Sequence, residues 1–311
     1  MATKKNKNPV FVTGDVHDPH LRGYDNKWLK RNQGMDEIDC AIKYGDIAEK
    51  YKIPVTLFFT GKCFASEKRM KSLHAKSFVE FGAHTYNGLQ PSWIHLIFKL
   101  LLKSYYGPYK YQRRDIIKTQ NIMEDFSGEP VQLWRTHAYQ SNNNTLDILR
   151  KTGFRVISDE VCLDEAKILQ VREGLHSVPI NTPPDHENLY HGVFNETRLK
   201  DNRMIMDKLS SIFRVHPTRA NVIRFIKEVI KTILGRRGKV DFTKPLAYNV
   251  TDYFDLLKKE TEKALLRDGY AMILLHPGCM EIADGMKGLE EFFQYLKKFK
   301  VSFVGDTKLN S

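Results

Sequence analysis

The sequence predicts an α/β fold in which parallel strands alternate with helices around a barrel, and two observations carry that expectation. Strand-like runs at residues 10–16, 55–60, 131–136, 155–158, 178–181, 271–275 and 302–305 alternate with helical stretches at about 36–50, 66–81, 112–126, 145–152, 252–267 and 286–299. Such alternation argues for βαβ units on a parallel sheet. Four polar clusters also follow or close apolar runs: Gly-Asp-Val-His-Asp at 14–18, Gly-Ala-His-Thr-Tyr at 82–86, Trp-Arg-Thr-His-Ala-Tyr at 134–139 and Ile-Leu-Leu-His-Pro at 273–277. In a parallel barrel they meet at the rim formed by the strands' C-terminal ends, where such folds keep their active sites.

Taken in order, residues 1–8 are basic and Asn-rich and are expected to be disordered, and 9–311 form a single domain. Val10-Phe-Val opens the first strand, which runs out at Asp15. Ile53-Pro-Val-Thr-Leu-Phe-Phe-Thr-Gly61 supplies the second, and a helix over 66–81 leads to His84. Insertions are expected at about 89–111 and 190–250. In the first, residues 93–106 are nearly all apolar except for His95, Lys99 and Lys103, whose four-residue spacing forms one narrow polar stripe on a helix. That helix is too short to span a bilayer, which takes about 20 apolar residues.

The third strand ends at Arg135 and the fourth at Ser158, with Asp159 beyond it; Asp159 reads equally as an orienter of His276 or as a strand-end cap. Pro183-Pro-Asp-His-Glu187 is a weak signal by itself, since His and Glu after a Pro pair are common in surface turns. In the second insertion, residues 214–244 are strongly basic, and Val222, Phe225, Ile226, Val229, Ile230 and Ile233 share one helical face. Such a helix either packs on the domain or lies on anionic lipid. The late strand 271–275 ends at His276.

The order and wording of the clusters resemble the polysaccharide deacetylases, the NodB-homology superfamily or carbohydrate esterase family four. Thr13-Gly14-Asp15 stands where that family's catalytic base motif stands, and Gly82, His84 and Thr85 match its metal-binding motif. Arg135 to Tyr139 with Asn144-Thr145-Leu146 behind is similar to its Arg motif, and Leu274-Leu275-His276 to the strand end carrying its general acid. The resemblance covers most of residues 9–280. It implies a distorted (β/α) barrel of seven or eight parallel strands, with catalytic Asp15, His276 and Arg135, and Arg135 keeping Asp15 ionised. Two departures matter: the family's second Asp falls on Val16 and its second metal-binding His on Gly88. His17, Asp18 and His84 could rebuild the metal site, and a strand puts residues 15 and 17 on one side, which favours His17. His137, Tyr139, Asp185 and His186 are expected to line the substrate groove. Read without the resemblance, Asp15 is a turn cap, and His84 and His276 are core histidines.

The activity that the resemblance implies is that of a divalent-metal hydrolase, with zinc first and nickel, cobalt or manganese as alternatives. Its expected reaction removes an N-acetyl or N-formyl group from an amino sugar or glycan, with nucleotide- and lipid-linked glycans among the candidate substrates. A related barrel cleaving a non-sugar amide and a catalytically silent carbohydrate binder are the competing readings.

Composition bounds the rest. The chain has 311 residues, 41% hydrophobic and 28% charged, enough to bury a core. An excess of 49 Lys and Arg over 37 Asp and Glu gives +12, which fits a membrane surface, a phosphate-bearing substrate or simply a solvated basic surface. Nucleic acid is the weakest partner, because no zinc finger, RRM or helix-turn-helix signature accompanies the charge. Scattered Cys40, Cys63, Cys162 and Cys279 form neither a disulfide framework nor a zinc ribbon. With no secretory signal visible, the expected location is the cytoplasm, including the inner membrane surface.

Overall fold

The structure, a computed structural model, describes residues 8–18, 34–190, 193–194 and 250–307. In chain order the elements are β1 (Pro9–Val16), α1 (Glu37–Tyr51), β2 (Val55–Phe59), α2 (Glu67–His74), β3 (Val79–Ala83), α3 (Ser92–Leu102), α4 (Tyr109–Ser127), β4 (Leu133–Trp134), α5 (Asn143–Lys151), β5 (Val156–Ile157), β6 (Leu169–Arg172), β7 (Leu175–Ser177), α6 (Asp185–Asn188), β8 (Leu189–Tyr190), β9 (Val193–Phe194), α7 (Val250–Arg267), β10 (Ala271–Leu274), α8 (Pro277–Asp284), α9 (Lys287–Leu296) and β11 (Lys300–Val301). The main sheet runs β10-β1-β2-β3-β4-β5-β7-β6, and β11 also pairs with β1. Within it only β6 is antiparallel, to β7; the other pairings are parallel. The sheet curls into a distorted half-barrel flanked by helices.

Side-chain alternation along each strand sorts the apolar residues into two cores. Val10 and Val12 of β1, Val55, Leu57 and Phe59 of β2, and Ala271 and Ile273 of β10 pack outward with the helices. Phe11, Phe58, Met272 and Leu274 fill the inner face with Leu133, Val156, Val178 and Ile180. The period of two puts Thr13 and Asp15 on the same side of β1 as Phe11 and sends Val16 into the outer core. The inner core is therefore the floor beneath the rim.

Local chemistry fixes the helix that matters most to the site. Asp36 caps α1, its carboxylate accepting from the backbone N–H groups of Ile38 and Asp39, with Asp39 returning the bond in a capping box. Arg69 clamps Asp36 and Asp39 from α2. The start of α1, where Glu37 sits, is thereby held.

Several boundaries differ from the sequence reading. The helix expected over 66–81 ends at His74, and Val79–Ala83 is β3. Neither Gly nor Pro marks that break, and the five-residue ladder with β2 overrides local periodicity. The strand expected at 178–181 has its ladder at Leu175–Ser177, followed by a single bridge between Val161 and Ile180. The strand expected at 302–305 pairs at Lys300–Val301 and then turns into a 3-10 segment at Val304–Asp306. The hairpin partner β6 and helix α8 carried no recognised signal. The expected polar stripe on α3 is overturned at His95, which is buried, with Nδ1 2.8 Å from the Tyr105 carbonyl oxygen and Nε2 3.3 Å from the Tyr111 hydroxyl. The expected helix over 222–233 lies outside the described residues.

Gly82 marks the tightest point of the floor. A Cβ there would lie 2.5 Å from Cδ1 of Phe58, a ring that the Arg135 guanidinium covers at 4.3 Å. Gly82→Ala is expected to destabilise the fold by roughly 1–3 kcal/mol, as overpacking does. Chemical denaturation checks this, and pairing the change with Phe58→Leu should recover part of the loss.

Candidate active site

β1, β3, β4 and β10 deliver the site's side chains to one rim. Arg135, immediately after β4, is fully buried and spends its donors on four acceptors. Nη1 donates to Asp15 Oδ1 at 2.8 Å, Nη2 to Thr13 Oγ1 at 3.1 Å and Ser158 Oγ at 2.9 Å, and Nε to the Ser158 carbonyl at 2.9 Å. Asp15 is thereby fixed in orientation and charge. Burial would raise its pKa, but Arg135, His84, His276 and His17 outweigh that cost, so its carboxyl lies well below the usual carboxylate range.

Three imidazoles meet beside it. His17 Nε2 and His84 Nε2 each lie 3.1 Å from His137 Nδ1, and the rings stand edge to face. The far nitrogens are tied back: His84 Nδ1 lies 2.8 Å from the Arg135 carbonyl oxygen and His17 Nδ1 3.0 Å from Glu37 Oε2. A carbonyl only accepts, so His84 carries its hydrogen on Nδ1 and turns the Nε2 lone pair inward. Burial holds His84 at about 3, hence neutral. Ring nitrogens in tetrahedral contact with a divalent ion at about 2.0–2.1 Å stand about 3.3 Å apart. The spacing, the inward lone pairs and the rear acceptors all fit an imidazole-bound cation with further coordination positions open.

Opposite stands His276, at the end of β10. Asp185 Oδ1 lies 2.7 Å from its Nδ1, while Asp185 Oδ2 accepts its backbone N–H at 2.7 Å. Burial would lower the imidazole's pKa, yet the Asp185 carboxylate carries it up to about 9, with a smaller push from Asp15. His276 Nε2 lies 3.7 Å from Asp15 Oδ2, which is itself 4.0 Å from His84 Nε2. The Asp15 carboxylate thus stands between a cationic imidazole, His276, and a neutral one, His84.

Of the residues expected at the site, Asp15, Arg135, His17, His84 and His276 come together. Asp18 does not join the converging nitrogens; its backbone N–H is turned to Thr60 Oγ1 and its carboxylate lies 3.9 Å from Lys62 Nζ. His137, expected in the substrate groove, sits instead among the three imidazoles. It rides a turn in which Ala138 and Tyr139 both have positive φ, 53° and 55°. Asp185, also expected in the groove, orients His276, whereas Asp159 accepts from the Thr136 N–H and serves as a cap. The Tyr139 ring packs against the inner core. The His186 side chain lies outside the described part of the structure. Glu37 was missed; an acid just inside a capped helix start reads as ordinary dipole chemistry.

Residues 39–157 match the family model of polysaccharide deacetylase. Over that stretch, less than half of its length, the chain is similar to the polysaccharide deacetylases. The matched stretch carries His84, Arg135 and His137. Among solved structures, the deacetylase fold is similar to that of a Mycobacterium smegmatis protein assigned as a polysaccharide deacetylase, with TM-score 0.60 and 16% identity, covering 97% of this chain and 88% of that one. A Pseudomonas aeruginosa PAO1 protein with the same assignment aligns with TM-score 0.53 and 14% identity over 95% and 87%. An allantoinase aligns with TM-score 0.55 and 13% identity over 97% and 88%. No curated protein matches by sequence.

Purified protein is expected to retain about one equivalent of a divalent ion, and His17→Ala, His84→Ala and His137→Ala each to lose it, while Asp18→Asn keeps it. Glu37→Gln should weaken affinity about 10–100-fold, the usual effect of removing an outer partner. Metal analysis with calorimetric titration of the stripped protein checks both.

Proposed function

We propose that this chain is a metal-dependent hydrolase of the polysaccharide deacetylase type that removes an N-acetyl or N-formyl group from an amino sugar or glycan. The observation that carries the reading is the apposition of Asp15 and His276 across 3.7 Å beside three inward-facing imidazole nitrogens. His17, His84 and His137 would hold the ion. When bound, a divalent cation there lowers the pKa of a water toward neutrality and polarises an acyl oxygen.

The protein's own groups supply the proton transfers. Asp15, ionised at neutral pH because Arg135 holds it so, accepts the proton that water loses as its oxygen attacks the acyl carbon. His276, protonated below about 9, gives a proton to the sugar nitrogen as the C–N bond breaks. The acyl group leaves as acetate or formate and the sugar keeps a free amine. Asp185 keeps Nδ1 of His276 engaged, so the proton given up comes from Nε2. The amino-sugar assignment is supported by the family match and by the basic surface that suits an anionic, nucleotide- or lipid-linked glycan.

Asp15→Asn, which keeps an acceptor for Arg135, is expected to lower turnover at least about 100-fold on acetylated or formylated amino sugars. Unchanged turnover would remove Asp15 from the mechanism. Wild type that binds metal but cleaves neither acyl type would favour cleavage of a non-sugar amide, and wild type that binds sugar without metal would favour a silent binder.

The pH profile gives a second test. His276 has a raised pKa, so its protonated, proton-giving form persists below about 9 and is lost above it. Asp185→Asn removes the main raising influence and should move the alkaline limb of the rate profile to lower pH. Initial rates across pH for both proteins decide it.

A further inference from the structure

Helix α3 presents its apolar side outward. Trp93 is 59% exposed, Ile97 42%, Leu101 76% and Leu102 50%, and these are four of the seven large hydrophobic residues exposed among the described ones. The first three recur at i, i+4 and i+8, so they form one row along the helix. The opposite side is satisfied, because His95 is buried against Tyr105 and Tyr111. A scatter of exposed apolar residues needs no cause, but a contiguous row does.

The sequence through and after the row is rich in cations and poor in anions. Between residues 92 and 118 the chain carries Lys99, Lys103, Lys110, Arg113, Arg114 and Lys118, and its one acid, Asp115, is buried and accepts from the Tyr106 hydroxyl at 2.7 Å and the Tyr86 N–H at 3.1 Å. Among the described residues none of these six cations is paired with a carboxylate. Two-fold pairing of this face with a second copy would set like charges against one another. A row of apolar side chains ending in Trp and flanked by Lys and Arg suits the headgroup boundary of an anionic bilayer. With eleven residues α3 lies on such a surface rather than across it.

The helix also belongs to the rim. It leaves the loop after β3 that follows His84, and beyond its end Ser104 Oγ accepts from Asn142 Nδ2 at 2.7 Å, just past the His137 turn. We infer that α3 and the cationic start of α4 form a docking surface for an anionic lipid membrane, laid against the edge of the catalytic rim. The docking itself does not depend on hydrolysis. Resting on the proposed function, it further implies that a lipid-linked amino sugar reaches Asp15 and His276 from the headgroup layer.

Co-sedimentation of the full chain with vesicles tests the docking without any activity measurement. Wild type should bind phosphatidylcholine vesicles containing phosphatidylglycerol at low salt, bind pure phosphatidylcholine weakly, and release at about 1 M salt, where the screening length falls to about 3 Å. Ile97→Glu with Leu101→Glu should abolish binding. Arg113→Gln with Arg114→Gln should weaken it about thirtyfold, from about 1 kcal/mol for each charge removed. All four positions are exposed, and unchanged melting temperatures would verify that the variants fold. No binding to the anionic vesicles at low salt overturns the inference, as does binding that neither variant alters. Light scattering that finds a dimer split by Ile97→Glu with Leu101→Glu, without vesicle binding, would assign the face to a second copy instead.

Discussion

The buried pair of Asp15 and Arg135 is the constraint on which the rest of the site depends. Taking both charges out of water is costly, and the pair is supported by the three further acceptors that Arg135 finds on Thr13 and Ser158. Arg135 reaches Thr13 on β1 and Ser158 after β5, so one side chain ties strands across the curl of the sheet. Its guanidinium lies over the Phe58 ring, and Phe58 in turn demands a glycine at position 82. The floor of the site and the top layer of the inner core are therefore one packed unit, and the catalytic geometry is inherited from it.

The same residue connects the two halves of the proposed chemistry. Its side chain keeps Asp15 ionised, and its backbone carbonyl fixes the tautomer of His84. Glu37 performs the equivalent office for His17 from a helix start secured by its own capping box. Across the rim, Asp185 makes His276 a cation at neutral pH while burial keeps His84 neutral. Two histidines a few ångströms from one carboxylate thus take opposite protonation states because their partners differ, one facing a carboxylate and the other a carbonyl.

The two departures from the deacetylase pattern, at positions 16 and 88, lie in different local settings. Val16 points into the outer core by strand alternation, and Gly88 sits in a positive-φ turn with φ of 63°. Val16 therefore brings no side chain to the rim. His17 and His137 meet His84 from β1 and from the turn after β4, which leaves the converging set all imidazole and Asp15 outside it.

The sequence by itself determined the parallel α/β architecture and the grouping of Asp15, His84, Arg135 and His276 at strand ends, because both follow from local periodicity: strands and helices repeat with different periods, and strand ends of a parallel sheet share one rim. It also placed His17 on the side of Asp15, by the parity of an extended chain. It did not separate Asp18 from His137 as companions of His17 and His84, nor assign Asp185 rather than Asp159 to His276, nor find Glu37. Each of these turns on which side chains meet after distant segments pack, as Asp185 meets His276 across 91 residues and His137 meets His17 across 120. The outward face of α3 was decided in the same way. Its apolar residues were legible, but the burial of His95 against Tyr105 and Tyr111 turned the row away from the core, and only tertiary packing sets that rotation.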